Sequence, residues 1–204
     1  MNGDNEQYFS KRRPFMSQTA ETLAVLDDRL RGLLRDYARR EPAHDALAAE
    51  FGTLLDDPED PFRRERLAGH FTASCWLVSA DGQRLLLTHH RKLQRWLQLG
   101  GHADGDRDLA QVALKEAEEE SGLSGLVLED PAIFDIDKHW IPERKDVPGH
   151  WHYDVRFVIR ALGGEVFVLS EESLDLAWRP VDEVAVDPQS DESMQRMARR
   201  WLAR

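Results

Sequence analysis

The chain has 204 residues, 41% of them hydrophobic and 32% charged, a balance suited to a folded domain with a sizeable core rather than to a disordered chain. Lys and Arg number 27 against 38 Asp and Glu, a formal net charge of −11. A nucleic acid polymer is therefore disfavoured as a partner, and an anionic ligand must be met by local basic groups or metal ions. The single cysteine, Cys75, excludes an intrachain disulfide, and no apolar run approaches the ~20 residues of a membrane span. Without a signal-like N-terminus, the expected location is cytoplasmic.

Residues 1–16 mix polar and charged types without a period and read as a mobile leader, with Met16 as an alternative start. From Thr19, Leu23, Leu26, Leu30, Leu33, Leu34 and Tyr37 recur at helical spacing up to Pro42. A shorter helix follows, with Leu47, Phe51, Leu54 and Leu55 on one face, ending at the Asp57-Pro58-Glu59-Asp60-Pro61 breaker. Residues 17–62 are thus expected to form a helical extension. Its apolar face should cover the chain's own domain, with a homodimer through these helices as the alternative.

Residues 63–204 read as the main domain. Alternation from His70 to Val78 and the Asp81-Gly82 turn predict a hairpin into residues 85–87. A helix is expected over 109–121, closed by Gly122. Further strands are expected at 133–136, 153–161, 166–169 and 176–178, and a final helix over 191–202 with Met194, Met197, Ala198 and Trp201 on one face. Strands around one central helix with a terminal helix imply an α/β fold, a mixed β-sheet sandwiched between helices.

The most informative stretch is Lys115-Glu116-Ala117-Glu118-Glu119-Glu120-Ser121-Gly122-Leu123. On a helix, Glu116, Glu119 and Glu120 fall within an arc of about 100° while Glu118 points away. That crowding falls on the last turn, the negative end of the helix dipole, where an anion is disfavoured by about 0.3–1 kcal/mol. Divalent cations would offset the repulsion, and oxygen donors suit Mg²⁺ or Mn²⁺.

Residues 101–123 resemble the Nudix box, G-x5-E-x7-R-E-U-x-E-E-x-G-U, where U is bulky and apolar. Gly101, Glu116, Glu119, Glu120, Gly122 and Leu123 match in register. Arg107 stands where the first Glu is expected, Lys115 replaces the Arg, and Ala117 is smaller than the usual apolar residue. The Leu176-Ala177-Trp178-Arg179-Pro180 segment is also similar to that family. The resemblance implies a Nudix-type sandwich and metal-dependent hydrolysis of a pyrophosphate bond in a nucleoside diphosphate linked to another group, or in a related small diphosphate. It implies Glu116 and Glu120 as principal Mg²⁺ or Mn²⁺ ligands, Glu119 as a further ligand or water-orienting group, and the Gly101 carbonyl as a completing ligand. The base in such enzymes varies, and Glu171 and Glu172 are the candidates here.

The chain's eight histidines are unevenly placed. His150 and His152, two apart in a strand, face the same way and suit one ion. His70, His102 and His139 are expected to converge with them near one cavity. The set resembles the metal site of isopentenyl-diphosphate isomerase, a relative with the Nudix fold. His70 and His102 match two histidines there, while His150 and His152 take the places of two glutamates, which implies a second Zn²⁺ or Mn²⁺ site. The isomerase also has a cysteine where this chain has Gly100, which argues against the isomerase reaction.

Arg91 and Arg144 are the candidate substrate-phosphate contacts, with Lys92 beside the first. Residues 139–149 read as a loop or lid over the site, and Trp96 and Trp151 as core residues or base-stacking groups. A non-catalytic ligand-sensing module stands as the alternative function.

Overall fold

A computed structural model of the chain describes residues 20–204 apart from 92, 145–146 and 171–172. The expected leader, Lys92 and the pair Glu171–Glu172 therefore lie outside the described residues. Helix α1 (Ala20–Arg40) buries Leu30, Leu34 and Tyr37, spaced at i, i+4 and i+7. Pro42 opens a 3₁₀ turn, Pro42–His44, that reverses the chain into α2 (Asp45–Leu54), which buries Ala48, Phe51 and Leu54. Phe51 meets Phe71 and Tyr153 at ring distances of 6.1 and 5.2 Å. The apolar face of the N-terminal helices is thus spent inside the core of the same chain.

Strand β1 (His70–Val78) is buried along its whole length. Asp81-Gly82 turns it into β2 (Arg84–His90), followed by the short β3 (Arg95–Leu97) and β4 (Gly100–His102). After α3 (Leu109–Ser121) come β5 (Leu126–Leu128), β6 (Asp135–Ile141), β7 (His150–Ala161) and β8 (Ser173–Pro180). The chain ends in α4 (Val181–Val184) and α5 (Glu192–Leu202). These strands make one mixed eight-stranded sheet of order β3-β2-β1-β7-β5, with β4 on β1, β6 on β7 and β8 on β2. Strands β1 and β7 run parallel, His70 opposite His152 and Val78 opposite Arg160.

The two faces of β1 serve different cores. Phe71, Ala73, Cys75 and Leu77 join α1, α2 and α3 in the larger cluster, whereas Trp76 and Val78 pack with Met194, Met197 and Ala198 of α5. Asp191 caps α5, its carboxylate accepting from the Met194 amide at 2.9 Å.

Three expectations need correction. The segment 166–169 forms no strand. Val166 is 90% exposed, and the Val168 amide instead donates to the Ser121 carbonyl at 2.7 Å, laying Val168 over the end of α3. Strand β6 is longer than 133–136 and takes His139 and Trp140 into the sheet, so the connection to β7 is a hairpin with an Arg144–Val147 bridge. Alternation alone missed it because Lys138, His139 and Trp140 lie at a partly exposed strand end. Finally, Trp151 is no core residue: it is 38% exposed and packs edge-on against Trp140 at 5.2 Å.

Candidate active site and histidine cluster

Helix α3 starts at Asp108, whose carboxylate accepts from the Gln111 amide at 3.3 Å, and stops at Gly122, held at φ +66. Its buried residues Leu109, Val112, Ala113 and Ala117 seat it on β1 and β4. The small Ala117 allows close approach. That seating carries Glu116 directly over Gly101: a Cβ there would lie 2.5 Å from Glu116 Oε2 and 2.6 Å from its Cδ. The carboxylate occupies the space a side chain at this glycine would need, so a larger residue would displace it.

Glu116 and Glu120 are both half-buried. Their charges, together with that of Asp154, add to burial in pushing the Cys75 thiol well up, which places both carboxylates toward β1. Glu119 instead points to solvent, 61% exposed, with Lys115 Nζ at 3.6 Å. The arc of three glutamates therefore resolves into two over the β1–β4 pair and one at the rim.

Arg64, which the sequence pattern did not single out, lies within electrostatic reach of both Glu116 and His102. It forks onto Asp104, and the Asp104 hydrogen bond, with Glu116 among the weaker influences, pushes its pKa up. Nothing periodic marks this residue, because it lies in the irregular connector before β1. Gly100 is constrained by backbone instead: a Cβ there would sit 2.5 Å from Ser74 Cα and 2.7 Å from the Ala73 carbonyl.

Arg107, at the box position expected to be acidic, has a different task. Its guanidinium reaches Asp27 of α1 at 3.1 Å and Asp60 at 3.4 Å, and lies 4.6 Å from the Phe62 ring centroid. The departure from the box thus ties the helical extension to the loop that precedes α3.

The histidines do converge, but not around the carboxylates. Gly101 is registered with Ala73, on the α3 side of the sheet, while His102 is registered with Thr72 on the other side. There the His70 ring lies 5.0–5.2 Å from those of His102, His150 and His152, the His152 ring lies 5.0 Å from His102 and 5.1 Å from His150, and His139 lies 5.4 Å from His152. Burial, reinforced by Arg64 and the neighbouring histidines, lowers the pKa of His70 and takes His102 down to about 4. Burial and the surrounding rings hold His152 at about 2. His70, His102 and His152 are thus held in the neutral form at physiological pH.

Of the two proposed phosphate contacts, Arg91 lies in the turn after β2, one guanidinium nitrogen donating to the Ser173 carbonyl at 3.0 Å. Arg144 is exposed near the tip of the β6–β7 hairpin. Trp96 is half-buried, stacked on His89 at 5.1 Å.

The α/β sandwich, with its carboxylate-bearing helix seated on the sheet, has the architecture of a NUDIX domain. The NUDIX domain model matches residues 69–201, and the chain belongs to that family. Among solved structures, the fold is similar to that of a C. elegans Ap4A hydrolase in a binary complex (17% identical, covering 65% of this chain and 95% of that one, TM-score 0.50). It is also similar to that of a MutT protein from Methanosarcina mazei Go1 (16% identical, 68% and 96% covered, TM-score 0.52). A third likeness is to the E. coli dihydroneopterin triphosphate pyrophosphohydrolase (15% identical, 66% and 96% covered, TM-score 0.50). No curated protein sequence matches the chain.

Proposed function

We propose that this chain hydrolyses the phosphoric anhydride bond of a small diphosphate, a nucleoside diphosphate joined to another group or a close chemical equivalent. The observation that carries the reading is the Glu116 carboxylate seated on Gly101, with Glu120 one turn further along α3 and equally half-buried. Glu116 and Glu120 would hold Mg²⁺ or Mn²⁺, with Glu119 at the rim as a further ligand or water-orienting group and the Gly101 carbonyl completing the set. The donor set fits such an ion, since only oxygens are presented and a carboxylate already fills the glycine cradle. A bound cation of this kind neutralises phosphate charge and lowers the pKa of attached water.

The chain's own residues do the rest. The open space at Gly101 lets the Glu116 carboxylate sit close against β4, where a ligand ion would be met. With a net charge of −11, the protein needs local cations to bind an anion, and Arg64, Arg91 and Arg144 are the groups proposed to meet phosphate oxygens. The relatives named for Ap4A and for dihydroneopterin triphosphate have different organic bodies around shared anhydrides, which fits a reading that leaves the leaving group open. We take residues 63–204 as the hydrolase domain, 17–62 as its helical cover and the cytoplasm as the working compartment. In line with the last, no helix among the described residues is long and apolar enough to cross a membrane.

A diphosphate library incubated with Mg²⁺ or Mn²⁺, with cleavage products detected directly, tests the reading. Glu120→Gln is expected to lower kcat at least 100-fold, on the order of the loss of one key electrostatic group, with the circular dichroism spectrum unchanged. Near-normal turnover in that variant would remove the assignment. Ligand binding by calorimetry with no product from any library member would favour the sensing module instead.

A further inference from the structure

The histidine cluster lies outside the carboxylate site and the proposed hydrolysis makes no use of it. His70 is buried, 2% exposed, and its Nδ1 lies 3.2 Å from the Arg66 carbonyl. His150 is buried too, its Nδ1 2.8 Å from the Pro148 carbonyl. A carbonyl only accepts, so both Nδ1 atoms carry the proton and donate, and both Nε2 atoms are left as bare lone pairs. His150 Nε2 lies 3.2 Å from His152 Nε2. His152 can donate one Nε2–H to His150, but His70 Nε2 is then still buried with no hydrogen-bond partner among the described residues. Hydrogen bonding within the cluster cannot satisfy all three rings.

One cation satisfies them together. A ligand atom from each of His70, His150 and His152 lies within 4.8 Å of the other two. A tetrahedral ion with metal–nitrogen bonds of about 2.1 Å sets its ligands roughly 3.4 Å apart, close to the 3.2 Å between His150 and His152. The two carbonyls on the far ring nitrogens supply the outer hydrogen bonds that fix tautomer and ring orientation in such centres. Imidazole-only donors select Zn²⁺ and similar late first-row ions and reject Mg²⁺.

We propose that His70, His150 and His152, with His102 as the adjacent fourth ring, form a Zn²⁺ site that is structural and separate from the carboxylate site. The ion clasps the connector behind the helical extension, through Arg66 and His70, to the β6–β7 hairpin, through Pro148 and His150. Its occupancy stabilises the start of β1 against the start of β7.

The test uses the purified full chain, stripped with a chelator and titrated with Zn²⁺ alone. One equivalent is expected to bind, to persist against a 1,000-fold excess of Mg²⁺, and to raise the thermal midpoint. Replacing Zn²⁺ with Co²⁺ should give the visible absorption of a nitrogen-ligated tetrahedral ion. The His150→Ala/His152→Ala chain should lose at least 100-fold in Zn²⁺ affinity, while Glu116→Gln/Glu120→Gln, which disables the proposed hydrolysis, should bind Zn²⁺ as before. A folded wild-type chain that takes up no stoichiometric zinc overturns the proposal, and that measurement stands even if the histidine variant fails to fold. Zinc retained by a folded histidine variant, or lost in the glutamate variant, overturns it equally. A thermal midpoint indifferent to bound zinc overturns the clasp.

Discussion

Adjacent glycines in β4 carry different burdens. The space beside Gly101 is filled by the flexible end of Glu116, whereas that beside Gly100 is filled by the Ser74 and Ala73 backbone. Gly101→Ala should therefore displace the carboxylate and lower kcat by about 100-fold, the scale of an ångström-sized misplacement, with little change in thermal midpoint. Gly100→Ala should instead cost about 2 kcal/mol of stability or more, because the backbone cannot yield. Urea melts and turnover on both variants check the contrast, and a matching pair of effects would undo it. Asp137 illustrates a charged residue in the same terms. Burial alone would raise its pKa, but the His139 hydrogen bond and the Arg156 charge outweigh it and bring the group down to about 2. A depressed carboxylate stabilises the fold fully above its unfolded pKa near 4, and that contribution is lost as pH falls through about 2. Asp137→Asn should thus cost about 2 kcal/mol at pH 7 and clearly less at pH 3. Urea midpoints at the two pH values measure the gap, and a gap of constant size would contradict this sign.

Elements are held to one another by a few charged groups. Arg107 joins the loop before α3 to α1 through Asp27 and to the connector through Asp60, with its side chain only 13% exposed. Restoring the acidic residue of the family pattern, Arg107→Glu, would set three carboxylates together. It should cost on the order of 3 kcal/mol, as for breaking a largely buried pair. Limited proteolysis should then cut α1 earlier than β1, and an unchanged cleavage order would show that the extension does not depend on Arg107. Sequence periodicity predicted α1, α2, α3 and α5 because each shows one apolar stripe to a core. It failed at 166–169, where apolar residues lie over the end of α3 without a strand partner, and at β6, whose outer half is only partly buried.

Across the molecule, Asp135 is the point where separate segments meet. Fully buried, it accepts from Tyr37 of α1 at 3.1 Å, Arg156 of β7 at 3.2 Å, and Arg196 and Arg200 of α5 at 2.7 and 3.0 Å. Asp135→Asn removes one of the charges that balance Arg156, Arg196 and Arg200, which keep Asp154, Asp137 and Glu41 as partners, and it should lose about 3 kcal/mol, the low end for breaking a buried pair. Chemical denaturation should show one transition shifted as a whole, since α1, the sheet and α5 share this anchor. Loss confined to α1, seen as a separate early transition, would refute that coupling.

By itself the sequence determined the fold class, the helix that carries the carboxylates and the strands that carry His70, His150 and His152, because these depend on short-range period and spacing. Which glutamates face the sheet was not legible there, since an arc of about 100° spans both a buried and an exposed direction. Only the tertiary structure decided that Glu116 and Glu120 lie over the β1–β4 pair, that Arg64 comes within electrostatic reach of Glu116, and that the histidines gather on the opposite face. Those outcomes follow from strand register and from how closely α3 rests on Gly101, contacts between residues far apart in the chain that no local pattern encodes.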